Sequence, residues 1–470
     1  MASPSPSPVR VVSRRSVKPP PRPRELIPLT SWDASSLLGN YIQKGLLFAR
    51  PPLPTAELVG HLQAALADAL ASYYPVAGRF VTEQHRDGQG DVVVGCSVSV
   101  DCNGQGVDII HAVADGVAVA DVVPPDADVP RVVRAFFPLS DAVSYDGREL
   151  PLFAVQVTEL ADAGVFLGFA CSHALCDGTA FWNFLNAWAE IARITRLAPP
   201  EARRAPASRP PLFERWSPDG TAAAPVVLPY ADPSVLIETP PPPMRERMLH
   251  FSAESLAALK ERARQELLAA GDTAGAGALT RFQALTSLVW RCFTRARRLA
   301  PDQETVCYVA ADNRGRLRPP LPAEYFGNCV SAVKTEAVLA SELLARGHGW
   351  AAAAVGRAVT AHTDAAIRAR AAAWAASPVL YTRGLFPKNG VLMGSSPRFD
   401  MYGCDFGWGK ALAARSGMAN KVDGKASLYP GRDGGFDVEV VMLPEHMAAL
   451  EQDDECWAAV SPDAAPAVKE

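Results

Sequence analysis

The chain has 470 residues with a formal net charge of −4, and 49% of the residues are hydrophobic while 20% are charged. This length predicts two domains of roughly 200 residues each, and the composition is typical of a globular enzyme, which excludes a largely disordered protein. The slightly negative charge argues against nucleic acid as the main partner, because neutralising phosphates requires a basic surface.

The cysteines indicate a reducing compartment. There are nine of them, an odd number scattered along the chain without a Cys-x-x-Cys pair or a Cys/His cluster of zinc spacing. We therefore predict free thiols and no metal site. The N-terminal residues lack the apolar core of a secretory signal, and no apolar run approaches the ~20 residues of a membrane helix. These features favour a cytoplasmic protein without a membrane span.

The first 160 residues predict mainly strands around one long helix. Residues 1–8 alternate serine and proline and are predicted to be disordered, whereas Val9 to Val17 predict a strand. The region 55–72 carries a leucine at every fourth position from Leu58 to Leu70, which predicts an amphipathic helix. Alternating polarity predicts strands at 91–100 and 151–158.

The most informative segment follows, where a histidine lies between a predicted strand and a predicted helix. The apolar run 165–170 is typical of a buried strand, and 179–191 carries apolar residues at helical spacing. His173 lies in the short connection between them, where two rigid elements can direct a ring into a cavity. Because histidine exchanges a proton near neutral pH, His173 is the candidate catalytic base.

A second copy of the same spacing serves as a comparison. His111 is also followed by an aspartate four residues later and then by a glycine. The residues after it have no helical apolar stripe and lead into prolines. We therefore predict that His111 is a structural or surface histidine.

Proline density marks the connection between the predicted domains. Residues 199–243 contain 13 of the 41 prolines, too many for a regular element. The predicted organisation is an N-terminal domain at 9–198, a crossover linker at 199–245 and a C-terminal domain at 246–470. Beyond the crossover, a helix is predicted at 252–270. A second helix is predicted to begin at Thr280, where a Thr-x-x-Gln pattern forms a capping box. One further helix is predicted in the alanine-rich stretch at about 349–375.

Two motifs resemble the signatures of the plant BAHD acyl-CoA-dependent acyltransferases. They are His173-x-x-x-Asp177-Gly178 and Asp405-Phe406-Gly407-Trp408-Gly409. Further similarity covers nearly the whole chain in the order expected for that family, at Tyr74–Phe80, Phe282–Leu285 with Trp290, Asp312–Pro322 and Tyr325–Asn328.

This resemblance implies an α/β fold like that of chloramphenicol acetyltransferase. Two similar-sized mixed-sheet domains would be joined by a long crossover, with the active-site channel at their interface. The implied reaction is direct transfer of an acyl group from acyl-CoA, the co-substrate, to the hydroxyl or amine of a small molecule, with His173 as general base. No metal or other cofactor is implied, and we expect a monomer that acts in plant specialised or surface-lipid metabolism.

The resemblance also assigns roles to residues around the base. It implies that Asp177 points away from the cavity and pairs with Arg314, holding the loop in place, while Gly178 frees the turn. The alternative is that Asp177 only caps the following helix. Cys176 could be considered as a nucleophile, but its apolar neighbours favour a core thiol.

The second motif is expected to be structural. Gly407 and Gly409 would provide backbone freedom and Phe406 and Trp408 buried area. A direct catalytic role for Asp405 is the alternative.

The chain departs from the family pattern before the second motif. Where many members have Thr-Ser-Trp, this chain has Gly394-Ser395-Ser396, so Ser395 and Ser396 are the candidates to face the reacting carbonyl. Gly403 also replaces an acidic residue that is common in the family. For the phosphates of coenzyme A, the sequence offers two groups of arginines, at 291–298 and at 314–318.

Two other functions remain open from the sequence alone. The same pocket could catalyse elimination within one bound substrate, with His173 as base and without coenzyme A. Alternatively, the chain could be a non-catalytic binder of small molecules that keeps the fold.

Overall fold

The computed structural model describes residues 7–90, 92–197, 208–220, 225–238, 241–431 and 433–462, with only the backbone given for 196 and 197. Most of the tail predicted to be disordered, and the beginning of the predicted crossover, lie outside the described residues. The domain boundaries therefore stay predictions.

The N-terminal half consists of strands with two long helices. The predicted strand at Val9–Val17 and the predicted helix at Thr55–Ser72 are both confirmed. The elements in chain order are β1 Val9–Val17, β2 Leu26–Pro28, α1 Ser31–Ser35, β3 Ile42–Phe48, α2 Thr55–Ser72, β4 Arg79–Arg86, β5 Val93–Asp101, β6 Val107–Ala114, α3 Val119–Val122, β7 Phe153–Leu160, β8 Val165–Cys171 and α4 Gly178–Leu197.

A six-stranded mixed sheet leads into the turn that carries His173. Its strand order is β1-β6-β7-β8-β3-β14, where β14 is Ala413–Ser416 from the far end of the chain. Only β6 and β7 pair in parallel; the other neighbours are antiparallel. Strand β8 is buried along its whole length, as its unbroken apolar sequence predicts. Helices α2 and α4 share the hydrophobic core formed with this sheet.

The C-terminal half contains a second mixed sheet and most of the helices. Its elements are β9 Arg245–Phe251, α5 Ala253–Ala269, α6 Thr273–Ala278, α7 Arg281–Ala296, β10 Glu304–Asp312, β11 Val330–Lys334, β12 Val338–Leu339, α8 Ala340–Ala345, α9 Gly347–Ala361, α10 Asp364–Ala376, β13 Gly390–Ser395, β14, β15 Lys425–Pro430, β16 Phe436–Met442, α11 Pro444–Leu450 and α12 Asp454–Trp457.

The second sheet has the order β11-β10-β13-β15-β16-β9, with the short β12 paired to β10. Strand β13 pairs in parallel with both β10 and β15. Helices α5, α7 and α9 pack into the core on this sheet. Thr280 caps α7 by the predicted capping box with Gln283. The predicted α/β fold with two mixed-sheet units is confirmed.

One sequence prediction about this half is wrong. The alanine-rich stretch predicted as one helix at 349–375 forms two helices, α9 and α10, separated at His362 and Thr363. The Thr363 side chain accepts the backbone N–H of Ala366 and so begins the second helix. The His362 ring is hydrogen bonded to Asn313 Oδ1 at 2.8 Å. Alanine periodicity continues across this break, so the pattern alone does not reveal it.

The C-terminal half contributes a strand to the sheet of the N-terminal half. Strand β14, from the C-terminal half, adds to the N-terminal sheet by pairing with β3. The described part of the crossover forms single β-bridges with both halves, Leu228 with Cys96 and Leu212 with Tyr325. The seam between the halves is therefore built from segments distant in sequence.

No helix in the described part of the chain is long and apolar enough to cross a membrane.

Candidate active site

His173 occupies the turn between β8 and α4, as the sequence predicts. The turn is fixed through its backbone on both sides. The His173 N–H donates to Ser144 Oγ at 2.9 Å, and its carbonyl accepts from Asn328 Nδ2 at 2.8 Å. Ser144 belongs to the N-terminal half and Asn328 to the C-terminal half. The histidine therefore lies at the seam, held by one residue from each side.

The ring of His173 is deep inside the protein but keeps some exposed surface. Its Nδ1 is buried and has no hydrogen-bond partner among the described residues. Burial lowers the pKa of His173 below its usual value of 6.5, and the nearby charge of Lys425 lowers it further. A lowered pKa keeps the imidazole neutral at pH 7, the form that can accept a proton.

Asp177 forms a bidentate ion pair with Arg314. The two distances are 2.8 Å from Nη1 to Oδ2 and 3.1 Å from Nη2 to Oδ1, and both side chains are buried. The same carboxylate accepts the N–H of Ala180 at 3.0 Å and that of Cys329 at 2.8 Å. Asp177 thus forms the ion pair with Arg314 that the resemblance implies, and it also caps α4, which was the alternative.

Arg314 ties the turn to the second half of the chain. Besides Asp177, it donates to the carbonyls of Tyr325 and Gly327 and to the exposed carboxylate of Asp312. Burial by itself would lower the pKa of Arg314, but Asp177 outweighs it and raises the pKa. Arg314 therefore remains charged and fixes the loop that carries Asn328.

Sequence reasoning missed a second buried carboxylate behind the turn. Asp33 accepts the backbone N–H of Asn328 at 2.8 Å and its side-chain amide at 3.0 Å. Arg215, from the crossover, is buried 3.9 Å from Asp33 and donates to the carbonyl of Phe326. Since Asn328 also supports His173, these residues hold the base in position indirectly. The sequence signal was the Thr30-x-x-Asp33 capping box, which only predicts a helix start.

Gly178 is the first residue of α4, and the ring of Phe399 lies against it. A Cβ at this position would lie 2.7 Å from the Phe399 ring. Asn186 on the same helix donates to the carbonyl of Asp400 at 3.0 Å. Gly178 is thus needed for close approach of the segment that leads to the second motif.

The second motif forms a tight loop closed by its own aspartate. Asp405 Oδ1 accepts the N–H groups of Gly407 and Gly409 at 2.8 and 2.9 Å. Both glycines have φ near +100°, a conformation that residues with a Cβ rarely adopt. In this geometry the Asp405 carboxylate stabilises the loop.

The two aromatic residues of that loop anchor it to the N-terminal half. Phe406 is fully buried and packs edge-on against Trp188 of α4, with ring centroids 5.1 Å apart. Trp408 stacks on Phe406 at 5.5 Å and contacts Phe48 of β3 at 5.8 Å. The motif thus joins β14 and its neighbours to the helix that follows His173.

The two serine candidates differ in their environment. Ser396 Oγ accepts the N–H of Arg398 at 3.2 Å and so takes part in a local turn. Ser395 ends β13 at φ 62°, and its Oγ is buried without a partner among the described residues. Ser395 is therefore the better candidate for a contact with substrate.

The remaining thiol and histidine of the sequence arguments lie away from this geometry. Cys176 is fully buried 3.6 Å from the sulfur of Cys171, and burial raises its pKa well above the usual value. This favours a core thiol, since the nucleophile would be the thiolate. His111 lies within β6, where its Nε2 is 3.8 Å from a carboxylate oxygen of Glu159.

Most of the arginines considered for coenzyme A phosphates have other partners. Arg291, Arg295 and Arg297 are held by acidic residues or backbone carbonyls. In the second group, Arg314 pairs with Asp177, and Arg316 donates to the carbonyls of Val359 and His362. These contacts favour structural roles for these five arginines, whereas Arg298 and Arg318 are exposed.

Within the described residues, no group of three or more His, Cys, Asp or Glu side chains is arranged to hold a metal ion.

Comparison with known sequences gives the family. A family model described as the Transferase family matches residues 7–456. An uncharacterized acetyltransferase of Arabidopsis thaliana is 35% identical over 444 residues, covering 92% of this chain and 94% of that protein. The BAHD acyltransferase DCR of the same plant is 32% identical over 454 residues, covering 93% of this chain and 89% of that protein.

Solved structures with the same fold include vinorine synthase, with a TM-score of 0.72 at 20% identity, covering 97% of this chain and 99% of that one. The F. graminearum protein TRI101, complexed with coenzyme A and deoxynivalenol, has a TM-score of 0.68 at 16% identity, covering 92% of this chain and 98% of that one. At these identities the likeness concerns the fold. Together with the family match over nearly the whole chain, the sequence relatives show that this chain belongs to the BAHD acyltransferases, a family that transfers acyl groups from coenzyme A thioesters.

Proposed function

We propose that this protein transfers an acyl group from an acyl-CoA to a hydroxyl or amine of a small molecule, with His173 as general base. The observation that carries the proposal is the state of this histidine. It lies at the seam of the two halves, partly accessible, with a lowered pKa and with Nδ1 unpartnered among the described residues. His348 and His362 each use a ring nitrogen in a hydrogen bond. An unpartnered ring nitrogen alone does not single out His173, because Nε2 of His111 also has no hydrogen-bond partner among the described residues. The position of His173 at the seam, held by Ser144 and Asn328, distinguishes it.

The reaction needs no covalent enzyme intermediate. As the acceptor oxygen or nitrogen forms a bond to the thioester carbon, its proton moves to the neutral imidazole of His173. The carbon–sulfur bond then breaks, and the coenzyme A thiolate leaves and takes the proton back from the imidazolium. The imidazole is neutral again at the end. A positioned base of this kind contributes ~10²–10⁴ in rate.

The contacts around the ring support direct transfer. Asp177 is committed to Arg314 and to backbone N–H groups, so it acts on the loop and not on the proton. Asp405 is committed to the N–H groups of its own loop. Of the two serine candidates, the unpartnered hydroxyl of Ser395 is the one we assign to the thioester carbonyl.

The test is a product analysis with the unmodified protein. Acetyl-, hydroxycinnamoyl- and long-chain acyl-CoA are each incubated with pooled alcohols, amines and hydroxy fatty acids, and products are identified by mass spectrometry. We expect acylated products that require both substrates, and release of coenzyme A that requires an acceptor.

Two outcomes would contradict this mechanism. Conversion of a single substrate without added acyl-CoA would indicate elimination. Release of one equivalent of coenzyme A before acceptor is added would indicate an acyl-enzyme, with Cys176 as the residue to examine. The Cys176→Ala variant is the control, and we expect it to retain the rate of transfer.

A further inference from the structure

Lys44 and Lys425 form no ion pair with a carboxylate among the described residues, and their ammonium groups donate to neutral oxygens instead. Lys44 on β3 donates from Nζ to the Tyr429 hydroxyl at 2.7 Å, and the same Nζ lies 4.4 Å from the centre of the Tyr429 ring. Lys425, at the start of β15, donates to the carbonyl of Asn420 at 2.7 Å. Both side chains keep some exposed surface although they lie deep inside the protein. Solvent can therefore reach part of each residue.

The nearest carboxylate is already used by other groups. Glu439 is fully buried and lies 2.7 Å from Lys421 Nζ. It also accepts the Ser416 hydroxyl at 2.6 and 2.8 Å and the Tyr429 hydroxyl at 3.1 Å. Its two oxygens are thus engaged by partners other than the ammonium groups of Lys44 and Lys425.

The second buried carboxylate is also engaged. Glu246 lies 3.2 Å from Lys421 and 2.9 Å from Arg134. Four cations, Lys44, Lys421, Lys425 and Arg134, therefore share two carboxylates. The region carries excess positive charge.

This excess is next to the candidate base. The charge of Lys425 lowers the pKa of His173 and also that of Lys44. The Lys425 Cε lies 3.4 Å from the place that a Cβ on Gly394 would occupy, so the absence of a side chain there gives the lysine its room. The next residue, Ser395, has the unpartnered buried hydroxyl. The side chain of Lys425 therefore lies beside the end of β13 that carries Ser395.

Holding these lysines inside the protein works against their charge. Burial lowers the pKa of Lys44 to about 7 and that of Lys425 to about 8. The charge of Glu439 raises both pKa values and that of Lys421 lowers both, but burial outweighs them. An anion placed between them would restore the charged form. Burying charge without a partner costs stability, so such an arrangement is typical of a binding site.

We propose that Lys44 and Lys425 form a carboxylate-binding subsite beside His173, and that the acyl acceptor is consequently a small hydroxy acid or amino acid. This inference rests on the proposed function. The carboxylate would accept charge-assisted hydrogen bonds from the two ammonium groups. That contact would place the hydroxyl or amine of the same molecule near the imidazole.

The first test compares matched ligands on the unmodified protein. Benzoate and its neutral isostere benzamide are titrated by calorimetry, and each is tested as an inhibitor of acyl transfer. We expect benzoate to bind at least about tenfold more tightly than benzamide. We also expect benzoate to compete with the acceptor and not with acyl-CoA. Because binding raises the lysine pKa values, benzoate should bind with proton uptake at pH 8. Equal affinity for the two ligands would overturn the proposal.

The second test removes each charge while keeping the length of the side chain. Lys44→Met and Lys425→Met should each weaken benzoate binding by about tenfold or more, with the melting temperature unchanged or raised, since a buried charge is removed. The matched control is Lys334→Met, an exposed lysine on β11, which should bind benzoate like the unmodified protein. Should the methionine variants fail to fold, Lys44→Arg and Lys425→Arg provide a charge-conserving pair that must retain the preference for benzoate.

The outcomes separate this inference from the proposed function. If acyl-CoA is consumed but carboxylate acceptors and their methyl esters react equally well, the subsite is refuted and acyl transfer stands. If benzoate competes with acyl-CoA and the lysine variants raise only the KM for acyl-CoA, the anion recognised is a coenzyme A phosphate, and the proposal is wrong. If no acyl-CoA is consumed but benzoate still binds at the lysines, the proposed function fails and the anion site remains.

Discussion

At the scale of single residues, the turn that carries His173 depends on one buried ion pair. Asp177 and Arg314 are bidentate, and Arg314 in turn holds the carbonyls of Tyr325 and Gly327. Removing one partner of such a pair leaves an uncompensated buried charge. This typically costs about 3–5 kcal/mol, much more than the pair is worth when compared with an apolar replacement.

Arg314 offers its own matched comparison, because it contacts a buried and an exposed carboxylate. We expect Asp177→Asn to lower the free energy of unfolding by about 3 kcal/mol or more. Asp312→Asn, at the exposed contact of 3.1 Å, should lower it by at most about 1 kcal/mol. Denaturant titration of both variants measures the difference. Equal, small effects would mean that Asp177 only caps the helix, since asparagine keeps that hydrogen-bond acceptor.

At the scale of elements, the loop 405–409 joins the two halves near α4. Its aspartate closes the turn, its glycines permit the backbone, and its aromatic rings pack on Trp188 and Phe48. These contacts serve packing or the backbone, which favours the structural interpretation of the motif. The indole N–H of Trp408 is buried without a hydrogen-bond partner among the described residues.

This interpretation predicts different results for two substitutions at Asp405. Asparagine keeps Oδ1 as an acceptor, so Asp405→Asn should leave the rate of acyl transfer nearly unchanged. Asp405→Ala loses both acceptor contacts, and we expect it to be less stable by about 1–3 kcal/mol. Thermal melts and initial rates of both variants check this. A catalytic role would instead give a loss of ~10² or more for Asp405→Asn.

At the scale of the whole molecule, the site exists only because distant segments meet. His173 is supported by Ser144 and Asn328, Asn328 by Asp33, and Asp33 lies beside Arg215 of the crossover. The pairing of β14 with β3 of the N-terminal sheet brings Arg415 and Ser416 to the same seam. Residues from four parts of the chain thus hold the backbone of His173 in place, directly or through Asn328.

Local patterns predicted the parts of this arrangement that depend on neighbours in sequence. The leucine repeat gave α2, the capping box gave the start of α7, and the apolar run followed by a helical stripe gave the turn of His173. Periodicity concealed the break between α9 and α10, because alanine fits either side of it.

The long-range contacts had no such local signal. Nothing in the sequence shows that β14 pairs with β3 across more than 360 residues. For the same reason the contacts of Lys44 with Tyr429 and of Lys425 with Asn420 could not be predicted. Only the resemblance to a family indicated the pair of Asp177 with Arg314. Partners of buried charges are set by the tertiary fold, which spacing alone does not encode.

The most direct test of the account is the rate of acyl transfer by His173→Ala at saturating acyl-CoA and acceptor. His111→Ala, which changes the other histidine of the same spacing, is the matched control. The account predicts that His173→Ala folds normally and loses a factor of ~10²–10⁴ in kcat, while His111→Ala stays within about twofold of the unmodified protein. A His173→Ala variant as fast as the unmodified protein would contradict it.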